Sequence, residues 1–185
     1  RVKHHQYGYI QNALYADWYT AIFHMTENLI ADCHRVGRQT KRGEKLLYYI
    51  CKHKGVLEQA PCTLVNYDIW DPNILCEKKD GKLHLAWIDP ERSFWGDPLF
   101  DFCCLELMVP LEKKTLTLTA YNAVAEVPVT ASRDERIRYA VSLGYMALVQ
   151  EAEKYYRYTP HHFGWWRNVF SSVYLYKRAF RILKG

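Results

Sequence analysis

The segment CTLVNYDIWDPNIL, residues 62–75, carries an aspartate and, five residues later, an asparagine between two apolar runs. Sixteen residues after Asn73, the segment IDPERSFWGDPLFD adds Asp89. The side chains of Asp68, Asn73 and Asp89 all carry oxygen, the ligand atom that Mg²⁺ prefers. Asn73 and Asp89 are suited to hold such an ion, which leaves Asp68 free to accept a proton from an attacking hydroxyl group. Phosphoryl transfer requires little beyond this positioning and charge neutralisation.

A simple turn is the alternative for the first of these segments. Asp, Asn and Pro are common turn residues, so WDPN by itself is explained equally well without any chemistry. The second segment, IDPERSFWGDPLFD, makes the combination much harder to obtain by chance. The two segments together therefore favour a functional site.

The elements that position these residues follow from hydrophobic spacing. Apolar residues recur at three- and four-residue steps from Ile10 to Cys33, the period of one helix face, and predict a helix that ends near Gly37. A second helix is predicted over about 43–54, with Gly55 at its end. The first third of the chain is therefore predicted to be helical.

The middle of the chain is predicted to be β-structure. TLVN is a short strand, the loop with Asp68 follows, and NILCE resumes an extended run. Asp80-Gly81 is a strong hairpin signal, and LHLAWID is the returning strand that ends at Asp89.

From GDPLFDFCCLELM onward the pattern is helical again. Ser132 and Glu135 form a capping-box pattern before a long amphipathic helix, and Pro160 separates that helix from a last one over about 163–183. The predicted fold class is therefore α+β and mostly helical, with a small β-hairpin insertion that carries the Asp68 loop.

Composition narrows the class of protein. No apolar run approaches the length of a membrane span and no signal peptide is evident, so we expect a cytoplasmic protein without a membrane partner. The six cysteines show neither C-x-x-C pairs nor zinc spacing, which favours reduced thiols over disulfides. Cys103 and Cys104 are expected to be buried small hydrophobes, with a soft-metal site as the alternative. The net charge of +5 arises entirely within residues 151–185, which hold seven basic and two acidic side chains.

Residues 64–101 resemble the central signature of the aminoglycoside phosphotransferase and choline kinase-like family, small-molecule relatives of protein kinases. That family carries H-x-D-x-x-x-x-N, a hairpin, an I-D segment and G-D-P-x-x-D. Here NYDIWDPN, IDPE and GDPLFD match these parts in order. The close signature covers about forty residues, and the flanking helices agree with the C-terminal lobe of the kinase-like fold only in pattern.

The resemblance implies roles for individual residues. Asp68 would be the catalytic base, and Asn73 and Asp89 would bind Mg²⁺ and with it the nucleotide, ATP or possibly GTP. Asp101 would brace the catalytic loop, and Asp97 would position the closing turn. Asn66 stands where the family has the histidine that orients the loop, so hydrogen bonding by Asn66 would have to replace it.

The resemblance also implies a second lobe. The family's N-terminal lobe carries a nucleotide-covering loop and a phosphate-binding lysine, and no glycine-rich loop or strand pattern precedes residue 60. Because Arg1 also opens the chain within what reads as a helix, we expect residues 1–185 to be the C-terminal lobe of a longer phosphotransferase. Alone, this lobe is expected to bind ATP poorly and to turn over little.

In this family the acceptor, a small hydroxyl-bearing molecule, is held largely by C-terminal helices. The matching stretch is aromatic and basic, and its candidate acceptor-binding residues are Tyr156, His161, Trp165 and Trp166. For each aromatic residue the alternative is helix packing, and for the histidines it is a turn. The shortage of carboxylates favours a neutral or anionic acceptor over a polycation, although Glu106, Glu112, Glu151 and Glu153 leave an acidic pocket open.

Three other functions compete with a small-molecule kinase. The first is a non-catalytic, pseudokinase-like binding module, for which Asn66 would mark a decayed site. The second is a nucleic-acid binder that uses the basic, aromatic C-terminus, but one packed helix explains the same pattern. The third is a protein kinase, which the motif spacing and the lack of an A-P-E-like segment disfavour.

Overall fold

Helices dominate the computed structural model, which describes residues 2–185. The α-helices are Trp18–Arg35 (α1), Lys41–Lys52 (α2), Lys54–Leu57 (α3), Thr115–Asn122 (α4), Arg133–Arg157 (α5) and Phe163–Leu183 (α6). The strands are Thr63–Val65 (β1), Ile74–Lys79 (β2), Lys82–Trp87 (β3) and Phe94–Gly96 (β4). The expected fold class, α+β and mostly helical, is confirmed.

Helix α5 is the centre of the helical body, because it packs against α1, α2, α3 and α6. It starts at a complete capping box between Ser132 and Glu135, as predicted. Its Gly144 allows α2 to approach closely, since a Cβ at this position would lie 2.5 Å from Leu46 Cδ1. The last predicted helix is also confirmed by α6, which begins after His162, whose side chain accepts a hydrogen bond from the Gly164 amide at 2.9 Å.

The predicted first helix is wrong in its first two turns. Helix α1 begins only after Asp17, whose carboxylate caps it by accepting from the Thr20 amide at 2.8 Å. In the preceding segment, isolated bridges join Lys3 to Thr63 and Gly8 to Trp95. Ile10 lies in a turn that the pairing of Tyr7 with Tyr15 closes, and this turn overrides the helical spacing of Ile10, which is 70% exposed. The expectation that the chain opens in a helix is wrong for the same reason.

Two other predicted boundaries need correction. Gly55 does not end the second helix, because it lies within the short α3. Helix α2 ends at Lys52 and is followed by His53, whose imidazole Nε2 donates to the Leu183 carbonyl at 2.9 Å. The segment after Gly96 is not α-helical either. A short 3₁₀-helix, Pro98–Cys103, forms because Asp97 caps it and Pro98 and Phe102 are buried there.

The strands form two separate antiparallel pairs. Strand β1 pairs with β4 and lies against the helical body. Strands β2 and β3 form the hairpin predicted from Asp80-Gly81, and both turn residues have positive φ. Within residues 74–87 no side chain of the hairpin is buried.

In the part of the chain that the structure describes, none of the helices is both long enough and apolar enough to cross a lipid bilayer.

Candidate functional site

The loop between β1 and β2 is held by Asp101, which lies in the 3₁₀-helix and is 4% exposed. Its Oδ1 accepts hydrogen bonds from the backbone amides of Asn66 at 2.9 Å and Tyr67 at 3.0 Å. A carboxylate that accepts two amides immediately before Asp68 determines the direction in which the loop leaves β1. This contact is the one that the resemblance implies for Asp101.

Two further contacts fix the loop backbone around Asp68. The Asn73 side-chain Nδ2 donates to the Asp68 carbonyl at 3.1 Å, and the Cys104 thiol donates to the Tyr67 carbonyl at 3.1 Å. The Asp68 carboxylate is left about one quarter exposed. The loop thus presents this carboxylate to solvent from a backbone that is held at several points.

Two of the five non-glycine residues with positive φ in the described part of the chain lie at this site. Tyr67 and Asp89 have φ values of 65° and 59°, in the left-handed region that side chains other than glycine rarely adopt. Such conformations persist where surrounding contacts enforce them, and they cluster at functional sites. The hydrogen bonds of Asp101 supply that enforcement at Tyr67.

Arg92 is the side chain that faces Asp68, with Nε 3.9 Å from Asp68 Oδ2. Its guanidinium also forms a short ion pair with Glu153 on α5. Burial lowers the pKa of Arg92, but the Glu153 and Asp68 carboxylates outweigh it and raise that pKa overall. Asp68 therefore lies beside a permanent positive charge whose main partner is Glu153.

Asn66 stands in the position of the family's histidine. Its backbone amide donates to Asp101 Oδ1 at 2.9 Å, and its side-chain Oδ1 is buried without a hydrogen-bond partner among residues 2–185. The loop is thus held here through the Asn66 backbone, and the Oδ1 atom takes no part in holding it.

Asn73 and Asp89 lie together at the base of the hairpin, where the Ile88 amide donates to the Asn73 carbonyl at 3.0 Å. Their side chains offer Mg²⁺ one amide oxygen and one carboxylate. Residues 2–185 contain no group of three or more His, Cys, Asp or Glu side chains placed to hold a metal ion. This donor set therefore fits Mg²⁺ that shares its coordination with water and substrate phosphates, and it does not fit a permanently bound ion.

Asp97, fully buried, positions the turn that leads to Asp101. Its Oδ1 accepts from the Leu99 amide at 3.0 Å, and its Oδ2 lies 3.5 Å from the Arg138 guanidinium of α5. The turn is thereby tied to the helical body.

A cavity of about 330 Å³ lies beside the loop, between the N-terminal segment, α1 and α5. Both Tyr67 and Arg92 line it, so it adjoins the residue before Asp68 and the guanidinium that faces Asp68. The other lining residues are Tyr9, Asn12, Ala13, Tyr15, Met25, Asn28, Leu29, Asp32, Tyr145 and Val149.

The four residues proposed to bind the acceptor lie elsewhere, and none of them lines this cavity. Tyr156 comes nearest, because its hydroxyl donates to the Asp32 carbonyl at 2.8 Å. Trp165 packs edge-on against Tyr155, and the Trp166 indole nitrogen donates to the Pro160 carbonyl at 2.9 Å. His161 is exposed in the turn before α6.

The four glutamates that could have formed an acidic pocket for a polycationic acceptor do not line the cavity; they are Glu106, Glu112, Glu151 and Glu153. Glu151 is buried and accepts from the Thr40 hydroxyl at 3.0 Å, and Glu106 binds Thr117. Glu153 is paired with Arg92, and Glu112 does not line the cavity.

The cysteines are free thiols throughout the described residues, as expected. Cys103 is fully buried, and burial raises its pKa to about 12. Burial also raises the pKa of the neighbouring Cys104 thiol. Each thiol donates to a different backbone carbonyl, Cys103 to that of Ser142 and Cys104 to that of Tyr67, which disfavours the soft-metal alternative.

Sequence reasoning missed Arg92, Tyr67 and the cavity. The sequence does carry a signal for Arg92, because it is the only basic residue of IDPERSFWGDPLFD, a segment already identified as part of the candidate site. Tyr9 and Tyr145 carry no comparable signal, because they are distant in sequence and only packing brings them together.

Comparisons with protein-family models, with curated proteins and with solved structures found no match to this chain.

Proposed function

We propose that residues 1–185 form the acceptor-binding C-terminal lobe of an ATP-dependent small-molecule phosphotransferase with a kinase-like fold. The observation that carries the proposal is the hydrogen bonding of the buried Asp101 carboxylate to the two amides that precede Asp68. A short loop whose backbone is fixed while its carboxylate stays partly exposed suits a group that accepts a proton at one defined place.

In the proposed reaction, Asp68 accepts the proton of the acceptor hydroxyl as that oxygen bonds to the γ-phosphorus. The bond between the γ-phosphorus and the bridging oxygen breaks, and ADP leaves. Arg92 keeps the Asp68 carboxylate in place through their contact at 3.9 Å. Mg²⁺, when bound with the nucleotide at Asn73 and Asp89, supplies charge neutralisation for the phosphates.

The nucleotide is proposed to be covered by a second lobe of the same protein. Cross-strand pairing puts alternate hairpin residues on one face, and this face is almost entirely apolar. Its residues are Ile74, Cys76, Lys78, Leu83, Leu85 and Trp87, and Lys78 is the one charged residue among them. Leu85 and Trp87 are about 60% exposed, and Trp87 pairs with Ile74, the residue after Asn73. An apolar face at this place suits a lobe that closes over the nucleotide.

The test is ADP release with Mg²⁺ and ATP, measured for the full-length gene product and for residues 1–185 against pooled hydroxyl-bearing small molecules. We expect acceptor-stimulated release from the former and little from the latter. Asp68→Asn should lower the rate about 10²- to 10⁴-fold, because the proton acceptor is lost.

Asp71→Asn is the matched control, since Asp71 is an exposed carboxylate of the same loop. It should leave the rate within about twofold, because the carboxylates that pair with Arg92 are those of Asp68 and Glu153, and Asp71 has no role in the proposed reaction. Equal losses in the two variants, or no release with any pool, would contradict the proposal. Full activity of residues 1–185 alone would contradict the need for a second lobe.

A further inference from the structure

We propose that the cavity beside the Asp68 loop is the acceptor site and that it selects an uncharged, polyhydroxylated ring about the size of a monosaccharide or cyclitol. This inference rests on the proposed function and names its substrate class. It also moves the acceptor from the aromatic C-terminal stretch to the space between the N-terminal segment, α1 and α5.

The location follows from two lining residues. Tyr67 is the immediate neighbour of Asp68, and Arg92 contacts Asp68 at 3.9 Å while it also lines the cavity. A molecule that fills the cavity and touches Arg92 therefore has its nearest atoms close to the Asp68 carboxylate. Proximity of this kind is what a proton acceptor requires.

The charges of the lining are already compensated within the protein. Arg92 pairs with Glu153, and Asp32, the one carboxylate of the lining, forms a short ion pair with Arg35. A charged ligand would have to break one of these pairs or enter with its own charge unmatched. The cavity therefore favours a ligand without net charge.

Neutral hydrogen-bonding groups make up most of the polar lining. Tyr67 is fully buried, and its hydroxyl has no hydrogen-bond partner in the described part of the chain. Tyr9 and Tyr145 share a side-chain hydrogen bond, and burial raises the pKa of both phenols, so both keep their protons. The Tyr67 hydroxyl is enclosed by protein, so the ring of Tyr67 borders the cavity while the accessible polar groups that a ligand can meet are those of Asn12, Asn28 and Arg92.

The other lining residues suit a ring that carries hydroxyl groups on one side and C–H groups on the other. The amides of Asn12 and Asn28 each offer a donor and an acceptor, which matches vicinal hydroxyl groups. Met25, Leu29 and Val149 offer an apolar surface for the C–H side of such a ring. A volume of about 330 Å³ lies at the small end of ligand pockets, which limits the ligand to about one ring.

Binding by the 185-residue chain tests the proposal without the need for turnover. Titration calorimetry and saturation-transfer NMR are run with methyl β-D-glucopyranoside and myo-inositol, alongside the charged analogues glucosamine and gluconate. We expect at least one neutral probe to bind with a millimolar or lower Kd, and each charged analogue to bind at least tenfold more weakly.

Matched variants localise the binding. Val149→Trp fills the cavity and should weaken binding at least tenfold, whereas Val173→Trp, on a more exposed part of α6, should not change it. Asn28→Leu removes a lining amide and should weaken binding three- to tenfold, with the exposed Gln11→Leu, which does not line the cavity, as its control. Circular dichroism confirms that each variant is folded before titration.

The proposal is overturned if neither neutral probe binds, if a charged analogue binds as tightly, or if the folded Val149→Trp variant binds normally. The proposed function fails separately. Asp68→Asn should retain probe binding, so bound probe without ADP release from the full-length protein would refute phosphoryl transfer alone. Conversely, transfer to an acceptor whose KM is unchanged by Val149→Trp would refute the cavity assignment alone.

Discussion

Helix α5 and the β2–β3 hairpin differ most in what covers their side chains. More than half of the 25 residues of α5 are buried, and four other helices contact or adjoin it. In the hairpin, residues 74–87, no side chain is buried, although one face is almost entirely apolar. A two-stranded hairpin by itself is marginally stable in water. The helical body therefore has its own stability, whereas the hairpin depends on its turn, its ladder and whatever covers it.

The candidate site lies where these two regions meet. Asp68 and Asn73 precede the hairpin, but the contacts that hold the loop come from the body, through Asp101 and Cys104. The chemistry thus sits on a region of low intrinsic stability that is anchored to one of high stability, a common arrangement for functional loops.

The comparison is tested most directly by a leucine-to-alanine substitution in each region, at Leu148 in α5 and at Leu85 in the hairpin. Leu148→Ala in α5 removes a fully buried side chain and should lower the free energy of unfolding by about 2–5 kcal/mol. Chemical denaturation monitored by circular dichroism measures the loss. A loss below about 0.5 kcal/mol, the range of ordinary surface substitutions, would show that the body is not tightly packed.

Loss of the contact that links the two regions, between Asp101 and the loop, should lower the free energy of unfolding by an intermediate amount. Asp101→Ala leaves the amides of Asn66 and Tyr67 without their acceptor and should cost about 1–3 kcal/mol. Hydrogen exchange of these two amides should accelerate while the core of α5 stays protected. Asp71→Ala, in the same loop but exposed, should change neither quantity. Unchanged exchange at Asn66 and Tyr67 would mean that Asp101 does not hold the loop.

Lys114, a buried lysine of the helical body, should make the free energy of unfolding depend on pH. Burial lowers the pKa of Lys114 to about 8, below its value in the unfolded chain. Between those two values the unfolded chain binds more protons, so this residue adds stability as pH rises. From pH 7 to 9.5, wild type should gain about 2 kcal/mol relative to Lys114→Met.

The control for this prediction is Lys82→Met in the hairpin, where the lysine is exposed. At each pH the free energy of unfolding of this variant should lie within about 0.5 kcal/mol of that of wild type, the range of ordinary surface substitutions. Titration of the buried cysteines is common to all three chains and cancels in the comparison. Parallel stability curves for wild type and Lys114→Met, measured in urea at both pH values, would refute the prediction.

The smallest effect is expected in the hairpin itself. Leu85→Ala, the counterpart of Leu148→Ala, should change the free energy of unfolding of residues 1–185 by less than about 0.5 kcal/mol, because Leu85 is 59% exposed. The same urea titration measures it. A loss as large as that of Leu148→Ala would show that the apolar face is already covered within this chain.

The sequence by itself determined the elements whose signals are local. The capping box of Ser132 and Glu135, the Asp80-Gly81 turn and the apolar period of residues 163–183 each depend on a few neighbouring residues, and each is confirmed. The predicted hairpin likewise places Asn73 and Asp89 at its two ends, and the Asn73 side chain donates to the Asp68 carbonyl. The roles of Asp68, Asn73 and Asp89 stay predictions.

Only the tertiary structure decided the features that depend on distant partners. Ile10 follows a helical period but lies in a turn instead, because Tyr7 pairs with Tyr15 across the turn while Gly8 pairs with Trp95 of β4. Arg92 acquires its position from Glu153, and the cavity exists because Tyr9, Tyr67 and Tyr145 meet from three parts of the chain. Spacing along a chain reports which groups one element presents, whereas packing between elements determines which groups share a site.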